Sequence, residues 1–162
     1  MRSIPLIFAG IVVVIFIGIF VFNFRDIQET EPLYVENEES EQFPLPIMDV
    51  TAPNGTIRSF VVDRDDLRQK GLGGRDGLED DEGMIFIFPE PGPYGFWMKD
   101  MHFAIDMIWI DNEKKVAGIL SDISPDSYPD IFVPPRPIVY VLELTAGGAE
   151  KFGIATGTQL VF

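Results

Sequence analysis

The sequence predicts a mainly β domain, an antiparallel sandwich or barrel with two short helices, carried behind one transmembrane helix. Three observations lead there. From Phe43 onward, short apolar runs are punctuated by Pro, Gly, Asn and Asp, the texture of an all-β domain. An unbroken apolar run stands near the amino terminus, and an acidic stretch separates the two.

The apolar run is Ile4–Phe22, 19 residues without a charged or hydrogen-bonding side chain. At about 1.5 Å per residue, such a helix covers most of a hydrocarbon layer about 30 Å thick. Pro5 falls in the first turn, where its missing N–H does little harm. Gly10 and Gly18 are too far apart for a GxxxG dimerisation motif. A cleaved signal peptide would end in small residues, whereas bulky ones crowd Phe20-Val21-Phe22-Asn23-Phe24. Residues 1–25 therefore read as an uncleaved signal anchor, spanning over about 4–22. Arg2 and the terminal amine precede the span; Arg25 follows it, with Asp26, Glu29 and Glu31 soon after. That small basic bias favours the tail inside, giving a single-pass protein of the cell membrane with an extracytoplasmic carboxy-terminal domain.

Residues 26–42 hold seven acidic side chains and no basic one. The stretch repels itself, buries little and reads as a flexible tether.

Residues 43–162 form the domain: 120 residues carrying a net charge of −9, long enough for one real core. Strands are expected over Ile47–Thr51, Thr56–Val62, Met84–Phe88, Gly95–Lys99, Ile105–Asp111, Val116–Ile123, Ile138–Leu144 and Gln159–Phe162. Asn54-Gly55 marks a tight turn between the first two. Asp63 is placed to cap a helix over Arg64–Lys70 closed by Gly71, and Thr145 one over Ala146–Phe152 closed by Gly153. Ser124–Pro137, with five prolines, reads as a loop.

Composition removes several functions. A net charge of −14 opposes nucleic-acid binding. The absence of cysteine removes disulfides, thiolate nucleophiles and Cys-based metal centres. His102 is the single histidine, which speaks against a histidine metal site or a Ser–His–Asp triad. Glu79-Asp80-Asp81-Glu82-Gly83 lacks the spacing of a calcium loop and reads as a solvated turn. No cofactor and no metal are expected.

Arg68-x-x-Gly71-Leu72, Arg75, Gly83-Met84-x-Phe86-x-Phe88, Phe96-Trp97-Met98-Lys99, Ile105-Asp106 and Val141-Leu142-Glu143-Leu144 with Ala146-Gly147 follow one another in order. This series resembles the DUF192 family of small bacterial and archaeal domains, from about Phe60 to the end. The resemblance implies a mainly β, jelly-roll-like sandwich or barrel with short helices, often behind a signal or anchor. It supplies no catalytic residues. The family usually has Asn, commonly followed by Thr, where this chain has Asp100-Met101, so a ligand preference set there would differ.

Five residues emerge as candidate ligand contacts: Arg75, Trp97, Lys99, Asp106 and Glu143. A hairpin over Gly95–Asp111 turning at His102-Phe103 sets Lys99 opposite Asp106 and Trp97 on the same face. That pair is either a structural ion pair or the polar spot on the floor of an apolar pocket. In Val139-Tyr140-Val141-Leu142-Glu143-Leu144, strict alternation puts Glu143 on the face of Val139 and Val141. There it either forms a buried salt bridge, with Lys99, Arg75 or Arg68, or serves as a general acid with a raised pKa.

The expected function is a binding module for a small polar or anionic ligand, with carbohydrate among the options, or for an envelope partner protein. Two alternatives are an enzyme acting on envelope glycans through Asp106 and Glu143, which is not favoured, and a structural or assembly domain.

Overall fold

A computed structural model of the protein describes residues 45–162. The expected anchor over 4–22 and the acidic tether over 26–42 lie outside the described residues. Among the described residues, no helix is long and apolar enough to cross a membrane.

The domain is mainly β with two short helices, as the apolar runs predict. Strand β1 (Ile47–Ala52) turns through Pro53-Asn54 into β2 (Gly55–Val62), pairing Ala52 with Gly55 and Val50 with Ile57. Helix α1 (Asp65–Lys70) follows. Acidic residues in its first turn and basic ones in its last complement the helix dipole. It starts one residue later than expected, with Arg64 rather than Asp63 at the N-cap, and stops at Gly71. Gly71 has φ 50°, a conformation glycine adopts without a Cβ penalty.

Strand β3 (Glu82–Gly92) then runs parallel to β2, matching Phe60 with Met84. Strands β4 (Ile105–Ile110) and β5 (Val116–Ile123) are antiparallel neighbours. A 3-10 turn at Pro125–Ser127 opens the proline-rich loop. Strand β6 (Ile138–Thr145) is followed by helix α2 (Gly148–Lys151). This second helix is shorter than the expected 146–152, because Gly147 at its start is left-handed at φ 85°.

The six strands form one sheet in the order β1-β2-β3-β6-β4-β5. Six strands in one sheet, with β2 and β3 parallel, depart from the expected antiparallel arrangement and from a jelly roll of eight strands in two sheets. The expected final strand over Gln159–Phe162 is a bridging segment instead. Thr51 and Val161 exchange backbone hydrogen bonds at 2.8 and 3.1 Å, while Gly157 N–H donates to Val116 and Leu160 N–H to Lys114. The segment thus ties edge strand β1 to the start of edge strand β5.

Alternation along each strand splits the apolar residues between two cores. One holds Val50, Ile57, Ile85, Ile108, Ile110, Leu142 and Leu144 against Phe152 and Leu160. The other holds Met84, Phe86, Met107, Trp109 and Val141 under Leu72, Phe96 and Met98. With both faces covered, all six residues of β4 are buried.

The hairpin over Gly95–Asp111 does not form. β4 pairs with β5 and β6, and Gly95–Lys99 is a loop with one bridge, from Phe96 to Phe132. Its end folds back onto the turn after α1: Gly74 N–H donates to Asp100 carbonyl at 2.8 Å, and Asp100 takes a left-handed φ of 57°. The distant β6 offers β4 a six-residue ladder that the adjacent segment cannot match.

Candidate functional site

The second core opens into a cleft of about 270 Å³ between the sheet, α1 and the loop over 94–101. Its floor is Glu143 on β6. In register, Glu143 lies between Met84 of β3 and Met107 of β4, so its carboxyl rises from an apolar row. Only 5% of the residue is exposed. Burial pushes its carboxyl up to about 8, and no charge or hydrogen bond among the described residues counters that push. At neutral pH Glu143 is therefore mostly a neutral acid, able to donate one hydrogen bond and accept others.

The walls are aromatic. The period-2 pattern of Met84-Ile85-Phe86-Ile87-Phe88 puts Phe86 and Phe88 on the face of Met84. Phe88 stacks on Tyr94 at 3.7 Å, and Phe86 meets Phe96 edge-on at 5.1 Å.

Helix α1 brings charge to the rim. The Arg68 guanidinium donates to the Ile87 carbonyl at 2.7 Å, pairs with Asp65 at 2.6 Å and lies over Phe88 at 5.2 Å. Arg68 thereby pins the helix to β3 and leaves little free charge of its own. Lys70 and Lys99 also line the cleft, and neither has an ion-pair partner among the described residues. Trp97 stands at the mouth, 39% exposed.

Of the five residues singled out in the sequence, Trp97, Lys99 and Glu143 meet at this cleft. Arg75 stays outside, its guanidinium 4.8 Å over the Phe60 ring. Asp106 is also elsewhere. Its parity matches Ile108 and Ile110, so it faces the first core, 1% exposed. Its two oxygens accept the N–H groups of Asp122 and Ala149, each at 2.9 Å.

Three expectations are corrected by this geometry. Lys99 and Asp106 do not pair, because the hairpin that would oppose them is absent. Asp106 and Glu143 cannot share a substrate, because adjacent positions in the β4–β6 ladder send them to opposite faces. Glu143 likewise forms no ion pair with Lys99, Arg75 or Arg68. His102 is 55% exposed at the side chain, 3.4 Å from Asp76. Sequence reasoning passed over the aromatic walls, although the Phe86-x-Phe88 alternation carried the signal. The contribution of α1 needed the tertiary fold.

These features define a mainly β domain with an aromatic-walled cleft over a buried acid. The chain belongs to the DUF192 family (Uncharacterized ACR), whose profile matches residues 48–162. No curated protein matches the chain. A crystal structure from Novosphingobium aromaticivorans, of a protein of unknown function, is 30% identical with a TM-score of 0.68, covering 73% of this chain and 86% of that one. A Sinorhizobium meliloti protein, provisionally described as a transcription regulator, is 28% identical with a TM-score of 0.64, covering 70% of this chain and 89% of that one.

Proposed function

We propose that the protein is a membrane-tethered, extracytoplasmic binding module for a small polar ligand held in the cleft above Glu143. One observation carries the reading: a buried carboxyl without a partner among the described residues closes the bottom of an aromatic-walled hollow. A ligand group seated there would hydrogen-bond the carboxyl in low-dielectric surroundings, where such a bond is stronger than in water. Convergent polar groups in an otherwise apolar concavity are the usual make-up of a small-molecule site. The binding role is preferred over hydrolysis by Asp106 and Glu143 because Asp106 faces away, and Asp65, the other carboxylate lining the cleft, is paired with Arg68.

The tether rests on the apolar run over 4–22 and the acidic spacer behind it. The regulator description of the Sinorhizobium protein is not carried over, since a net charge of −14 repels a phosphate backbone.

The test is a thermal-shift screen of the full chain in detergent against polar metabolites. A compound that raises Tm for the wild type and not for Glu143→Leu sustains the reading. A complete library without such a compound overturns it.

A further inference from the structure

We infer that the cleft takes an uncharged amide whose N–H and C=O lie on one edge, a ring lactam or a primary amide, paired through both groups with the carboxyl of Glu143. The inference rests on the cleft being a ligand site and adds the chemical class.

Charge is disfavoured at the floor. The Glu143 carboxyl stands in an apolar row, between Met84 and Met107 in register. An ion seated on it would give up its hydration there, and desolvating a charge costs far more than desolvating a hydrogen-bonded neutral group. The cations of the cleft do not offset that cost. Arg68 is committed to Asp65 and Ile87, while Lys70 and Lys99 are exposed. None of the three moves the Glu143 carboxyl, whose upward push is burial alone.

Bond counting narrows the neutral ligands. A protonated carboxyl presents an O–H donor and a C=O acceptor side by side. One hydroxyl oxygen cannot meet both at good angles, whereas an amide edge meets them with two parallel bonds. Open-chain secondary amides are trans, which sends N–H and C=O to opposite sides, and their cis form is costly. Lactams and primary amides carry the paired edge from the start. The carboxyl is reachable: among the described residues, Trp109 Nε1 is the sole side-chain polar atom both sealed from solvent and unpartnered, and Glu143 lines the cleft. Phe86 and Phe96, crossed at 5.1 Å, line it too and suit the apolar remainder of such a molecule.

The pairing needs the proton. Asp65, Arg68 and Lys70 of α1, with Tyr94 and Lys99 of the loop, are the titratable or charged side chains lining the cleft beside Glu143; β3 and β4 set methionines against it. Burial keeps the Glu143 carboxyl protonated up to about pH 8. Its loss removes the donor and turns one of the two bonds into a meeting of lone pairs. Binding of the amide therefore weakens as pH rises past that point.

The experiment is a ligand-observed NMR titration of the full chain in detergent, near pH 6.5 and near pH 9, with a thermal melt at each to verify the fold. The probes are 2-piperidone, its N-methyl derivative, open-chain N-ethylpropanamide, cyclohexanol and cyclohexanecarboxylate, none of which titrates between those values. We expect 2-piperidone to bind near pH 6.5 and each of the others to bind at least about tenfold more weakly. Near pH 9 its affinity should fall about tenfold, because the carboxyl is then about nine-tenths ionised. Glu143→Gln keeps a donor and an acceptor on one edge and cannot ionise. It should hold 2-piperidone within about threefold of the wild type at the lower pH and keep it at the higher. Glu143→Leu should lose it at both. Loss in the glutamine variant as complete as in the leucine variant, or retention by the leucine variant, overturns the pairing. Equal binding of the N-methyl derivative, or tighter binding of cyclohexanol or the carboxylate, overturns the amide and preserves the cleft as a site. Absence of 2-piperidone binding up to about 50 mM, the weak end for so few atoms, also overturns it. The polar-metabolite screen then says whether the cleft reading falls with it.

Discussion

Asp106 and Glu143 lie one position apart across the β4–β6 ladder and face opposite sides of the sheet: Met107, not Asp106, is the residue opposite Glu143. One carboxyl is fully used and the other is unused. Asp106 fastens two backbone N–H groups, whereas Glu143 fastens none. Mutation should therefore affect the two in opposite ways.

Asp106→Ala strands the N–H groups of Asp122 and Ala149, the second of them fully buried. We expect a loss on the order of 3 kcal/mol, read by urea denaturation as a lower midpoint at unchanged slope. A loss below about 1 kcal/mol would contradict the structural role.

Glu143→Gln should act through pH. The folded carboxyl titrates at about 8 and the unfolded one near 4.5, so between these values the native state holds one more proton. Stability then falls as pH rises, by up to about 1.4 kcal/mol per unit across that window. The glutamine variant cannot ionise. Its stability curve should be flatter and should lie above the wild type by a few kcal/mol near pH 9, measured by chemical denaturation across the range. Parallel curves would place Glu143 in a wetter setting than the structure gives it.

Lys99→Ala should leave stability within about 0.5 kcal/mol, because the side chain is exposed and has no ion-pair partner among the described residues. A paired lysine would behave differently, since its removal would strand a buried aspartate. The melting temperature of the single variant decides this.

Arg68→Ala should cost about 1–3 kcal/mol, since it removes the bond to Ile87 carbonyl, the Asp65 pair and the contact over Phe88. Backbone amides of α1 should exchange faster, while those of β6 keep their protection. Arg68→Lys should recover little, because an ammonium cannot reproduce the forked geometry.

Alkaline extraction of membranes tests the tether. The full chain should stay in the pellet, as expected for an uninterrupted apolar run of 19 residues. Quantitative release into the supernatant would remove the anchor from the proposal.

Much of this architecture was legible in the residues. Six of the eight expected strands are strands, because alternation or a buried apolar run is a local property of Ile47–Ala52, Ile105–Ile110 or Ile138–Thr145. The face of Glu143 could be read from its neighbours Val139 and Val141 for the same reason. The partner of β4 could not. Nothing local tells Met107 that it will face Glu143, 36 positions on, rather than the segment just before the turn. The mistaken hairpin then carried Asp106 into a site it does not share. Lys99 and Trp97 reach the cleft by another path, a loop folded against the turn after α1. The pairing of Arg68 with Asp65 is helical spacing, three residues apart, but its reach to Ile87 depends on where the helix packs.

The place of β6 in the sheet has a consequence for how the molecule comes into being. Residues 47–92 can assemble β1, β2 and β3, and residues 105–123 can assemble β4 and β5, yet it is β6 that joins these halves into one strand order, with the terminal segment bridging their outer edges. Pairings of such sequence separation are slow, because chain closure must precede the contacts that reward it. The strand that joins the halves also carries the acid of the cleft, so completion of the sheet and creation of the binding floor are one event. On the reading proposed above, a partly assembled chain would have no floor for a ligand until β6 is inserted.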